Sequence, residues 1–150
     1  MTTAGRLQPT FVSPRAAAYR EPGGPWDQPT LNALLTDAAK HAGDRVLVVD
    51  GDRRVSGSEL LERVDATASM LVARGVEAGD AVAWQLGNCV EAIVAFRACW
   101  RIGAVAAPLH IAFTAAEVDR ALARINPAIV LTPTDLAPTS GRPATPIIGV

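Results

Sequence analysis

The sequence predicts an α/β fold: a mostly parallel sheet with helices on both faces and a small N-terminal hairpin. Three observations carry this. From residue 57 onward, apolar stripes at helical spacing alternate with short apolar runs, the pattern of a parallel sheet joined by right-handed crossovers. Asp50-Gly51 lies between two strand-like runs, a strong hairpin signal. The 150 residues are 49% hydrophobic and 19% charged, a globular composition at the length of one domain, able to bury roughly two-thirds of its unfolded surface.

Residues 1–29 hold Pro9, Pro14, Pro22, Pro25, Pro29 and Gly23-Gly24. Prolines at this density fix φ and remove donors, so an irregular leader is expected. Trp26 is expected to anchor it on the domain, because a lone indole rarely stays in water. The domain proper is read as 30–150. Leu31, Leu34, Leu35 and Ala38 make a helical stripe over 31–42, with Thr30 as N-cap and Gly43 as stop. A strand over 45–50 returns through Arg53-Arg54-Val55. Ser56 and Glu59 form a capping box for a helix to Arg74, whose inner face is Leu60, Val64, Ala68 and Leu71, and Gly75 ends it.

Gly79-Asp80 then turns the chain into a strand over 81–86. Asn88 and Glu91 repeat the capping logic and open a helix running to Ile102. It is apolar nearly all round, as in a helix buried between layers. Gly103 stops it. The continuous apolar run 104–109 reads as a strand covered on both faces. Thr114 and Glu117 make a third capping box, followed by the stripe Val118, Ala121, Leu122 and Ile125. Asn126-Pro127 breaks that helix, and 128–131 is the next strand. A loop with four prolines spans 132–146. Residues 147–150 begin a further strand, whose exposed edge could pair with a partner.

Charge and counts exclude several functions. A net charge of −1 offers no basic field for nucleic acid. The most apolar stretch, 89–108, is interrupted by Glu91, Arg97 and Arg101, so no membrane span is expected. Residues 1–20 lack the apolar region of a secretory signal. They carry three arginines and no acid, but a leader is the plainer reading than a transit peptide. Cys89 and Cys99 would stand about 15 Å apart on a helix, too far for a disulfide. They read as reduced, buried thiols of a cytoplasmic protein. Lys40 is the sole lysine, and it follows Ala39, which excludes a G-x-x-x-x-G-K-[ST] phosphate loop and a receiver-type site. His41 and His110 cannot make H-E-x-x-H, the cysteines cannot make paired C-x-x-C, and no serine sits in G-x-S-x-G. No metal ligand set and no catalytic residue is expected.

Five short motifs in order carry a resemblance. Arg54-Val55-Ser56-Gly57-Ser58-Glu59-Leu60 is similar to R-x-T-Y-x-E-L, with Gly57 in place of an aromatic. Gly75-Val76-Glu77-Ala78-Gly79-Asp80-Ala81-Val82-Ala83 is similar to G-V-x-x-G-D-x-V-A. Asn88 and Glu91 fit x-N-x-x-E. The run from Gly103 to His110 is similar to G-A-V-x-x-P-L-N, with His110 for Asn. Thr114 to Val118 fits T-x-x-E-L. Together, over about 125 residues, they resemble the N-terminal part of the AMP-forming adenylating enzymes, the family of acyl-CoA synthetases and AMP-dependent ligases.

The resemblance implies ATP, Mg²⁺ and CoA as participants in the full-length enzyme, acting on a small-molecule carboxylic acid. It also implies that the chemistry lies downstream, on a glycine-rich loop ending in Pro-Lys-Gly, an acidic ribose contact, a Thr-Glu pair and a mobile domain with a catalytic lysine. Backbone donors and Mg²⁺ would neutralise charge developing on phosphate. None of these motifs is in this sequence, so no cofactor is expected in this chain. Thr139-Ser140-Gly141 copies the opening of T-S-G-T-T-G-x-P-K-G, but Arg142-Pro143-Ala144 follows, so it reads as a turn. Lys40 reads as an ordinary helix-face lysine. Asn88 reads as a cap rather than an anion site. His110, at the carboxyl end of a parallel strand, is the one substrate-proximal candidate. The expectation is an N-terminal fragment of an acid–thiol ligase, incomplete at its C-terminus and inactive alone. The alternative is a non-catalytic partner or split subunit pairing with an intact synthetase.

Overall fold

The computed structural model describes residues 13–131. The expected strand at 147–150 with its exposed edge, the loop before it and the Thr139-Ser140-Gly141 turn lie outside the described residues. Ten elements follow in order: α1 Ala16–Arg20, α2 Leu31–Ala42, β1 Val46–Asp50, β2 Arg53–Ser56, α3 Gly57–Ala73, β3 Ala81–Trp84, α4 Val90–Ile102, β4 Val105–Pro108, α5 Ala115–Ile125 and β5 Ile129–Leu131.

The local signals act as expected at most boundaries. The Thr30 hydroxyl accepts the Ala33 N–H at 3.2 Å, and the Ser56 hydroxyl accepts the Glu59 N–H at 3.1 Å. Thr114 and Glu117 form the full reciprocal box. Gly103 and Asn126 end α4 and α5 in the left-handed region. The hairpin turn differs by one residue. Asp50 pairs with Arg53, so the turn is Gly51-Asp52, with Gly51 at φ +58. Glycine at the first central position suits a type II′ turn, whose twist matches the strands.

β1 and β2 pair antiparallel, whereas β4, β3 and β5 form a parallel sheet in that order. The connection from β3 runs to one neighbour, and the connection from β4 runs back past β3 to the other. Right-handed crossovers therefore set α4 and α5 on opposite faces. α3 packs on α4, and α2 packs on both. β3 is the centre: all four of its residues are buried. Trp84 meets the edge of Phe96 with ring centroids 5.0 Å apart. The expected inner face of α3 is the core, with Leu60, Val64, Ala68 and Leu71 all buried against Val90, Val94 and Cys99 of α4. Each fully buried leucine contributes roughly 1.5–3 kcal/mol relative to exposure.

Three expectations need correction. β4 is only half-buried, because it lies at the edge of the sheet among the described residues, with β3 as its partner strand. α4 is not buried all round: Ile93 is exposed and Arg97 is inside. In the leader, α1 interrupts the irregular chain, and Trp26 remains 51% exposed. Its ring meets Tyr19 edge-on at 5.1 Å, with the Arg20 guanidinium 5.5 Å from its centroid. The indole finds its partners within the leader's own turn rather than on the domain. Gly24 permits that turn, since a Cβ there would stand 2.6 Å from the Tyr19 carbonyl oxygen.

Candidate functional site

Parallel α/β sheets place ligands beyond the carboxyl ends of their strands, here the edge formed by the ends of β3 and β4. His110 lies there, two residues past β4 and exposed. Its Nδ1 accepts the Ala112 N–H at 3.1 Å, which leaves the ring proton of the neutral imidazole on Nε2. The Phe113 ring is tilted beside it at 5.9 Å. Ile111 and Phe113 are both exposed. The two strand ends are tied together by the Leu109 N–H donating to the Trp84 carbonyl at 2.7 Å. Gln85 adds a second tie: its Nε2 donates to the His110 carbonyl at 2.9 Å and lies 3.5 and 3.4 Å from those of Ile111 and Phe113. Sequence reasoning singled out His110 and missed Gln85, whose one signal is a polar side chain directly after an apolar strand.

The N-terminus of α4 faces the same edge, and its positive end would suit an anion. Asn88 does not cap it. The N-cap is Cys89, whose side chain makes no capping bond, a thiol being a weak acceptor. The Asp50 carboxylate of the hairpin takes that place, accepting the Val90 N–H at 3.0 Å and pairing with Arg53. Glu91 in the first turn accepts from Arg53 Nη1 and Nη2 at 2.7 and 3.0 Å, and from Arg63 at 2.8 Å. These hydrogen bonds, Arg53's first, hold the Glu91 carboxyl at about 2 against the opposing effect of burial. The same contacts raise Arg53. The helix end thus already holds an anion supplied by the chain itself.

Other charged groups serve the packing. Arg97 is 5% exposed and donates to the Leu35 carbonyl at 2.9 Å. Burial, then the neighbouring Arg101, lowers its pKa. Cys99 is pushed up to about 12 by burial, so it is an inert thiol, whereas Cys89 is half-buried. Lys40 is exposed in the last turn of α2. Among the described residues, no three His, Cys, Asp or Glu side chains could together hold a metal ion.

The profile of the AMP-binding enzyme family matches residues 35–148. The chain belongs to that family. It corresponds to the N-terminal part of an AMP-forming adenylating enzyme. It is 42% identical over 105 residues to a probable CoA ligase of Humulus lupulus, covering 69% of this chain and 20% of the relative. It is 32% identical over 126 residues to the medium-chain fatty-acid–CoA ligase of Escherichia coli, covering 83% and 22%. Apo MatB from Rhodopseudomonas palustris superposes with a TM-score of 0.61 at 36% identity, over 67% of this chain and 20% of that one. The N-terminal subdomain of Klebsiella oxytoca NpsA, at 21% identity, a TM-score of 0.64 and coverage of 70% and 28%, shares the fold. The chain spans about a fifth of the length of the curated CoA ligases it matches. No helix among its described residues is long and apolar enough to cross a membrane.

Proposed function

We propose that residues 30–150 supply the opening subdomain of an acid–thiol ligase and do not catalyse by themselves. The full enzyme would join a carboxylic acid to ATP, forming an acyl-adenylate and pyrophosphate, and then pass the acyl group to CoA. ATP, Mg²⁺ and CoA would be held by residues outside this sequence. One observation carries the reading: the family profile covers 35–148, yet the sole lysine of the sequence is the exposed Lys40 of α2. No phosphate-gripping Pro-Lys-Gly loop is therefore present. The role left to this part is to shape the carboxyl edge of the sheet, with His110 as the substrate-proximal residue. Two unpaired thiols suit the reducing cytoplasm.

Carboxylate-dependent ATP–pyrophosphate exchange tests this. The purified chain is expected to give no exchange above the enzyme-free blank, and measurable exchange would overturn the reading. A second reading, a non-catalytic or split subunit, is favoured by α5. Its stripe of Val118, Ala121, Leu122 and Ile125 is only half-buried. Co-elution with an intact ligase on size exclusion would support that reading, and independent elution would end it.

A further inference from the structure

Gln85 is the first residue after β3, at the point where the chain leaves the sheet. A side chain there is free to face solvent. Instead its amide nitrogen reaches across the strand gap to the loop after β4, 25 residues later, and donates to the His110 carbonyl at 2.9 Å. The Ile111 and Phe113 carbonyls stand 3.5 and 3.4 Å away. An amide group carries two N–H donors, so one serves His110 and the other is shared. These carbonyls converge on one point within a loop whose other ties are short-range: Phe113 N–H to the His110 carbonyl and Ala112 N–H to the His110 ring. Three converging carbonyls repel one another unless a donor sits among them. The amide supplies that donor, and the resulting loop shape keeps Nδ1 occupied as an acceptor and leaves the proton on Nε2.

We propose that Gln85 is a positioning residue. Its amide gathers the carbonyls of residues 110–113 and thereby presents His110 as a single N–H donor for a carboxylate oxygen, beside the Phe113 ring. The donor's use by a substrate rests on the reading of His110 as substrate-proximal; the positioning itself does not.

Amide hydrogen exchange and ring ¹⁵N shifts of the full 150-residue chain test the two parts separately. In Gln85→Leu and Gln85→Glu, which remove the donor, the Ala112 amide is expected to lose roughly tenfold in protection, the scale of one hydrogen bond. The β3 amides of Val82 and Ala83 should stay unchanged. Gln85→Lys restores a donor and should restore most of the protection. His41 is the internal control, because its Nδ1 lies 2.7 Å from the Asp37 carbonyl, which fixes the opposite tautomer. Unchanged Ala112 protection in both donor-less variants, or equal losses at Val82 and Ala83, would overturn the positioning role. Decanoate titrated into the wild-type chain probes the other part. Shifts centred on the His110 and Phe113 rings support it, and no shift there overturns the substrate-facing reading without touching the exchange result.

Discussion

Asp50 shows how one side chain can replace a local signal. α4 begins at a cysteine that caps nothing, and its first free N–H is satisfied by a carboxylate 40 residues earlier. A carboxylate at a helix N-terminus gains both a hydrogen bond and the helix dipole. Asp50→Ala is therefore expected to destabilise the chain by about 1–2 kcal/mol, read as a lower urea midpoint at constant m. Asn88→Ala, the change that local capping logic would single out, should stay within about 0.5 kcal/mol. Glu91 supplies a pH signature. Its folded pKa, about 2, lies below the ordinary value of 4.5. Its contribution is thus fully present above the unfolded pKa and is lost as pH falls through the folded one. The stability gap between wild type and Glu91→Gln should be flat above about pH 5 and shrink steadily toward about pH 2, with the residual gap weaker in high salt because Arg53 is half-exposed.

Between elements, Gly57 decides how closely α2 approaches α3. A Cβ there would stand 2.3 Å from the Ala39 carbonyl oxygen and 2.8 Å from the Ala42 Cβ. Both belong to the C-terminal part of α2, and neither can yield without moving that helix. The sequence marks this position as one where the family's motif carries an aromatic. The glycine here leaves room for the C-terminal part of α2 to pack directly on the start of α3. Gly57→Ala should gain at most about 1 kcal/mol in helix propensity and lose about 1–3 kcal/mol to overpacking, a net fall in thermal midpoint measurable by calorimetry. The elements themselves were largely legible. Every helix and strand expected between residues 31 and 131 is present, because each carries a period and a terminal signal within its own residues. The cap of α4 departs because its deciding partner is 40 residues away, whereas Trp26 departs because Tyr19 and Arg20 of its own turn take the indole before the domain can.

At the scale of the molecule, stability is unevenly spread. α4 buries six residues, Val90, Val94, Ala95, Arg97, Ala98 and Cys99, whereas α5 buries none. A helix with few buried contacts opens locally, below the cost of global unfolding. Native-state hydrogen exchange should therefore show α5 amides exchanging well before those of α3, α4 and β3, with little dependence on denaturant. Equal protection in α4 and α5 would contradict this. Of the candidate site, only His110 was readable in advance, since the end of a parallel strand is a place that order and period define. Its partners were not. The Gln85 amide arrives from 25 residues away, and the buried Arg97 holds α2 from 62 residues away. Local periodicity, caps and turn residues act within a few positions, so the sequence by itself determined the order of elements, the family and the absence of a phosphate-gripping lysine. Which carboxylate meets the α4 terminus, which amide gathers the loop around His110 and which face of α4 is left exposed depend on groups brought together by the packing of sheet and helices, and only the tertiary structure decided them.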